Sequence, residues 1–86
     1  MIDLRDRNQA AALKSNMHAV FESPQGKDVM EFLEHSCGWY QSCLVPGQPD
    51  LTLINDGKRQ VLATIKTIMR LDPDQISDLV KAKEEN

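Results

Sequence analysis

The chain has 86 residues, of which 41% are apolar and 27% are charged. Ten Lys and Arg residues against 13 Asp and Glu give a net charge of −3, and the sequence pI is about 5.2. This length allows one small domain, 1–86, with a thin core, and the apolar content excludes intrinsic disorder as the default. The mild acidity argues against bulk electrostatic binding of nucleic acid.

The first part of the chain predicts two helices. Apolar residues recur at intervals of three and four from about Asp3 to Val20, which is helical spacing. Ser23 and Pro24 predict a second helix, because Ser is a preferred N-cap and Pro fits the first helical position. We expect this helix to end near Ser36, with Gly38 available for a C-terminal cap.

Residues 37–56 show no helical period and predict a long connection. Pro46 and Gly47 suit a type II turn, since Pro presets the first central residue and Gly permits a positive φ at the second. Pro49 adds a second break, and 51–54 reads as an extended segment. A connection of this length is unusual in a small domain and is often functional.

The third helix is predicted from the apolar spacing of Val61, Ile65 and Ile68, which fall at i, i+4 and i+7. Asn55 or Asp56 is the expected N-cap. The alternative at this point is a hairpin turn, but the apolar spacing that follows favours a helix.

The fourth helix is predicted to begin with Asp72 as its N-cap and Pro73 in its first turn, with Gln75 completing a capping box. Residues 82–86 are expected to fray. The sequence therefore predicts an all-α fold, a small bundle of three to four helices with one long connection between the second and third helices.

Two cysteines and a histidine, Cys37, Cys43 and His35, lie close together in the sequence. Their spacing matches none of the usual zinc patterns, and nothing around them resembles a catalytic signature. We expect free thiols, since the charged N-terminal residues do not resemble a secretory signal and indicate a reducing, cytoplasmic setting. We therefore expect no metal, no cofactor and no enzymatic activity. The apolar runs are too short for a membrane span.

Five residues are candidates for partner binding: Trp39, Tyr40, Arg59, Lys66 and Arg70. Arg59, Lys66 and Arg70 share one side of the third helix and can meet phosphate or an acidic protein surface. The alternative is a solvated helix face that balances nearby acids, with Arg59 paired to an acid of the second helix. Trp39 and Tyr40 belong to residue types enriched at interface hot spots, or they cover the core between the second and third helices.

Two blocks of the sequence resemble a known family. They read Val20-Phe21-x-x-Pro24-x-Gly26-x-x-Val29-Met30-x-x-Leu33 and Asn55-Asp56-Gly57-x-Arg59-x-Val61-x-x-x-Ile65. With the connection between them, they are similar to short, mostly uncharacterised proteins of tailed bacteriophages, often encoded near head and portal genes. The resemblance covers about residues 18–71. Independently of the resemblance, Gly26 is expected to let another group approach the first turn of the second helix, because glycine has no side chain.

The resemblance implies a phage setting, in the cytoplasm of an infected bacterium or in the virion. Together with the small size, it favours a non-catalytic protein that acts through protein–protein binding, as a minor virion or head-assembly component. A homo-oligomer is compatible with this expectation. A host-takeover protein that inhibits a bacterial enzyme is the alternative. A helical nucleic-acid-binding protein that uses Arg59, Lys66 and Arg70 is a second alternative, which the net charge disfavours.

Overall fold

The structure is a computed structural model that describes residues 2–85. It contains four helices, α1 (Arg7–Phe21), α2 (Pro24–Ser36), α3 (Pro49–Arg70) and α4 (Pro73–Glu85), and within 2–85 there is no strand. The all-α prediction is confirmed.

Side-chain caps begin three of the helices. Ser23 caps α2 as predicted, and Asp72 and Gln75 form the predicted capping box of α4, each side chain accepting from the other's backbone N–H at 2.9 and 3.0 Å. Helix α1 begins later than the expected Asp3, because the Asp6 carboxylate caps it. A capping side chain satisfies a backbone donor that has no partner within the helix.

The predicted start of α3 is wrong. This helix begins at Pro49, so the segment 51–54, which was expected to be extended, forms its first turns. Pro49 occupies the first turn, where its missing N–H costs no hydrogen bond. Gly57 lies inside the helix, and neither Asn55 nor Asp56 is a cap. The tertiary structure overrides their weak helix propensity.

The shortened connection runs over residues 37–48, and two glycines shape it. Gly47 has a φ of 77°, the positive value that the predicted type II turn requires at this position. Gly38 has a φ of 64° and ends α2, where the Trp39 N–H donates to the Glu34 carbonyl at 2.8 Å. This hydrogen bond across the helix end belongs to a Schellman motif, so the predicted cap at Gly38 is confirmed.

Helix α1 packs against each of the other three helices. The core lies where it meets α3 and α4, and its centre is Ala10, Ile68 and Ile76. Four partly buried residues surround these: Leu4, Leu13, Met17 and Leu71. The apolar faces expected in the first two helices are only partly used, since Val20, Val29 and Phe32 are each more than half exposed.

Polar side chains of α1 also secure the end of α3. Lys14 donates to the Leu71 carbonyl, and His18 Nε2 lies 2.8 Å from the Met69 carbonyl oxygen. The last carbonyls of a helix have no partner inside it, so donors from a neighbouring helix stabilise that end.

Helix α4 extends through Glu85, past the point where we expected fraying to begin. Arg5 lies 3.5 Å from Glu84, which ties the start of the described chain to this last turn. Asn86, which the expectation of fraying also included, lies outside the described residues.

Gly26 allows the tight corner between α1 and α2. It is buried, and a Cβ atom at this position would overlap the Val20 carbonyl oxygen and lie 2.8 Å from Phe21 Cα. The expectation of a close approach at Gly26 is confirmed, and the approaching group is the backbone at the end of α1.

We predict that Gly26→Ala destabilises the protein by about 3 kcal/mol, because the added methyl group forces two backbone segments apart. Chemical denaturation measures this loss. Gln25→Ala is the matched control, because Gln25 is exposed next to Gly26 and its change should lie within about 0.5 kcal/mol. Equal stabilities of the two variants would contradict the prediction.

His18 makes the junction of α1 and α3 pH-dependent. Its Nδ1 contacts the Glu22 carboxylate while its Nε2 faces the Met69 carbonyl, and these two acceptors, Glu22 foremost, raise the pKa of His18 above 6.5. A histidine donates from both ring nitrogens only when it is protonated. Its stabilising contribution is therefore complete below pH 6.5 and is lost as pH rises through the raised pKa.

We predict that the melting temperature of the wild type exceeds that of His18→Gln by more at pH about 5.5 than at pH about 8.5. Thermal unfolding followed by circular dichroism measures both differences. A difference that stays constant or grows with pH would contradict the assigned protonation.

Candidate functional site

Trp39 joins the end of α2 to the middle of α3. Its ring is partly buried, with Lys66 Nζ 4.6 Å and Arg59 Cζ 5.5 Å from the ring centroid. Cations over the face of a Trp ring are attracted by its negative π surface, by about 0.5–2 kcal/mol each. Two cationic side chains about two helical turns apart on α3 therefore lie over one aromatic ring.

Glu34 connects this stack to Tyr40. Its Oε2 atom lies 2.7 Å from Lys66 Nζ and accepts a hydrogen bond from the Tyr40 hydroxyl at 3.0 Å. The Glu34 and Lys66 side chains are only 14% and 32% exposed, so their ion pair is better shielded from water than a typical surface pair. We call Trp39, Arg59, Lys66, Glu34 and Tyr40 the Trp39 cluster.

The electrostatics of the Trp39 cluster follow from these contacts. The hydrogen bond from Lys66 holds the pKa of Glu34 below its usual value, and the charged Glu34 carboxylate in turn raises the pKa of Tyr40. At neutral pH the carboxylate is thus ionised and the phenol protonated, which is the pairing that the geometry shows.

The structure brings together four of the five predicted residues, Trp39, Tyr40, Arg59 and Lys66. Arg70 is exposed in the last turn of α3, where its charge suits the negative end of the helix dipole. The two aromatic residues differ in their exposure. Trp39 packs between α2 and α3, whereas Tyr40 is 75% exposed.

The alternative in which Arg59 pairs with an acid of the second helix is not the pairing that the structure shows. An acid of that helix, Glu34, pairs with Lys66 instead, while Arg59 lies over Trp39 and places a guanidinium nitrogen 3.9 Å from Cys43 Sγ. Glu34 itself is the residue that sequence reasoning missed. Only the fold brings it to Lys66, and no local motif joins two positions so far apart in sequence.

Cys37 and Cys43 are half-buried free thiols, the state that we expected. Both border a polar pocket of about 230 Å³ that His35 also lines. Across residues 2–85, no group of three or more His, Cys, Asp or Glu side chains is placed to hold a metal ion. Every helix in this part of the chain is too short or too polar to cross a membrane.

The fold and the Trp39 cluster thus define a small all-α protein whose polar and aromatic side chains gather on one surface. A family model, described as Bbp19-like phage protein, matches residues 17–81. The chain therefore belongs to the Bbp19-like phage protein family, and the resemblance to a phage family is confirmed. Neither the curated proteins nor the solved structures contain a significant match to the chain.

We predict that Glu34→Gln lowers the free energy of unfolding by about 1 kcal/mol and shifts the fluorescence emission of Trp39 to longer wavelength. Trp39 is the single Trp of the chain, and loss of the ion pair frees Lys66 and admits water to the ring. Glu31→Gln is the matched control, since Glu31 is exposed on the same helix. An unchanged Trp39 spectrum in Glu34→Gln would contradict the proposed network.

Proposed function

We propose that this phage protein is a minor virion or head-assembly component that acts by binding another protein and not by catalysis. The observation that supports this proposal is the surface of the Trp39 cluster. Tyr40 is 75% exposed and Arg59 is also exposed, while a network of charged and aromatic contacts positions both. Tyr, Trp and Arg are the residue types that contribute most at protein interfaces.

The fixed positions of these side chains favour binding. A side chain that is already ordered loses less conformational entropy when a partner docks. The Tyr40 hydroxyl is fastened to Glu34 and the Arg59 guanidinium lies over Trp39. The chemistry of this surface suits a partner that offers an apolar patch to Tyr40 and a carboxylate to Arg59.

The ion pair with Glu34 bears on the nucleic-acid alternative. Lys66 is paired with Glu34, so Arg59 and Arg70 are the exposed members of the three basic residues that share one side of α3. Fewer free cations mean fewer phosphate contacts and a shallower salt dependence of binding.

The host-takeover alternative uses the same protein-binding surface. The time of expression distinguishes it from a virion role, since takeover proteins act early and virion proteins are made late.

We predict that purified particles of the source phage contain this protein and that Tyr40→Ala and Arg59→Ala each lower its copy number per particle. Loss of one hot-spot side chain weakens binding by about 2 kcal/mol, or roughly 30-fold. Quantitative mass spectrometry of particles measures the copy number. Lys27→Ala, an exposed change on α2, is the control and should be incorporated normally.

Absence of the wild-type protein from particles, despite expression in infected cells, would contradict a virion role and favour host inhibition or a transient assembly role. Normal incorporation of both Ala variants would contradict the assigned surface while leaving the virion role in place.

A further inference from the structure

The two cysteines of the chain border the same pocket and lie outside the core. Cys37 follows the last residue of α2 and Cys43 lies in the 37–48 connection. Both are half-buried free thiols, and neither belongs to the core cluster or to the apolar residues packed around it. Thiols within reach of solvent can react, whereas fully buried ones are inert.

A tight turn lies between the two cysteines. The Gln41 N–H donates to the Gly38 carbonyl at 3.1 Å, and Gly38 has the positive φ of 64° described above. A turn of four residues holds its first and last Cα atoms within about 7 Å of each other. Cys37 directly precedes this turn and Cys43 follows it after one further residue, so the turn draws the two cysteines together.

The polar pocket beside this turn has both cysteines in its wall. Its volume is about 230 Å³, which is room for about eight water molecules at roughly 30 Å³ each. A compact pocket of this size is about two to three water molecules across. Gln41, Ser42 and Lys58 also line the pocket and are exposed, so a small molecule in solution can enter it.

Cys37 is held firmly, whereas Cys43 is held weakly. The Cys37 N–H donates to the Leu33 carbonyl at 2.8 Å. Cys43 is bound to α3 by two long contacts, one from the Asn55 amide to its carbonyl at 3.3 Å and one from Arg59 to its sulfur at 3.9 Å. Contacts of this length are weak. Cys43 is therefore the residue that moves when the two Cα atoms approach to the roughly 4.4–6.8 Å that a disulfide requires.

We propose that Cys37 and Cys43 form a reversible disulfide when the protein meets a small-molecule disulfide such as oxidised glutathione, and that this closure changes the contact between Arg59 and Trp39. The reduced state is the one described above.

The reaction is a thiol–disulfide exchange in two steps. The thiolate of one cysteine attacks a sulfur of the small disulfide, breaks its S–S bond, forms a mixed disulfide with the protein and releases one small thiol. The second cysteine then attacks the protein sulfur of the mixed disulfide and releases the other small thiol. The two protein thiols are oxidised, the small disulfide is reduced to two thiols, and the two protons that the cysteines lose end on these products.

Closure reaches the Trp39 cluster through Arg59. A guanidinium nitrogen lies 3.9 Å from Cys43 Sγ, and the guanidinium carbon lies 5.5 Å from the centroid of the Trp39 ring. A sulfur that moves toward Cys37 leaves this contact, so the position of Arg59 over the ring changes. The disulfide thus alters an exposed side chain of the binding surface proposed above.

The setting of the protein decides which state is populated. Cytoplasmic thiol pools keep cysteines reduced, whereas disulfides form and persist in oxidising settings that include the surface of a virion. The proposed virion role would take the chain from the first setting to the second. The disulfide rests on that role for its biological setting only, since its formation needs no other protein.

Equilibration of the full chain with mixtures of reduced and oxidised glutathione tests the disulfide. Mass spectrometry after acid quenching should show a product lighter by two hydrogen atoms. We expect the equilibrium constant for closure to be at least about 10-fold larger in buffer than in concentrated urea, because the fold holds the cysteines together. Linkage then requires the closed form to be more stable to unfolding by the same factor, about 1.4 kcal/mol, which urea denaturation measures.

Trp39 fluorescence, recorded on the same samples, should change on closure. Cys37→Ser and Cys43→Ser are the matched controls, because each retains one thiol. Each should stop at the mixed disulfide with glutathione and should not give the closed product.

An equilibrium constant no larger in buffer than in urea would overturn the proposal, since the fold would then not favour closure. Glutathione attached to both cysteines, or disulfide-linked pairs of chains, in place of the closed product would also overturn it. A closed product with unchanged Trp39 emission would overturn the coupling to Arg59. Closure of a protein that is absent from phage particles would support the disulfide and contradict the virion role alone.

Discussion

The packing of α1 against the other three helices holds this small protein together. Its centre is Ala10, whose side chain is fully buried where α1 meets α3 and α4. A small residue at a helix crossing lets the backbones approach closely, and Ile68 and Ile76 then fill the space around it. With so few residues fully buried, the core has little free energy to spare, as expected for a domain of this size.

The position of this core decides which surfaces remain for binding. Helix α1 reaches α3 near Ile68, in the second half of α3, and the first half extends away from the core. The end of α2 is joined to α3 by the Trp39 cluster, in which one carboxylate satisfies both an ammonium and a hydroxyl group. A satisfied polar network of this kind fixes side-chain positions. The protein therefore has an ordered polar surface on one side of α3 and an apolar one on the other.

The sequence predicted a helix start correctly where neighbouring residues were enough to define it. The starts of α2 and α4 were predicted because Ser23 and Asp72 are capping residues directly followed by Pro. The start of α3 was not predicted, because Pro49 follows Gln48, which provides no side-chain cap. Asn55 also resembles a helix start by residue type, but in the structure its side chain binds the Cys43 carbonyl from within the helix.

The residues of the candidate site fall into the same two groups, those that the sequence indicated and one that it did not. Residue type alone marked Trp39, Tyr40 and the basic residues of α3, because aromatic and cationic side chains outside a core have few roles other than recognition or solvation. Glu34 gave no such signal, since one acid among several on a polar helix has no local feature that sets it apart. Its role depends on the way the chain returns from α2 to α3, which places it against Lys66.

The sequence by itself determined the helical class, the family, the caps at Ser23 and Asp72 and the turns at Gly38 and Gly47. The caps and turns depend on residues within a few positions of one another, and the family was indicated by short motifs read directly along the chain. The tertiary structure decided where α3 begins, which acid pairs with Lys66 and which apolar residues are left exposed. These outcomes depend on contacts between residues far apart in sequence, and burial by a neighbouring helix has no local signature in the residues that it covers.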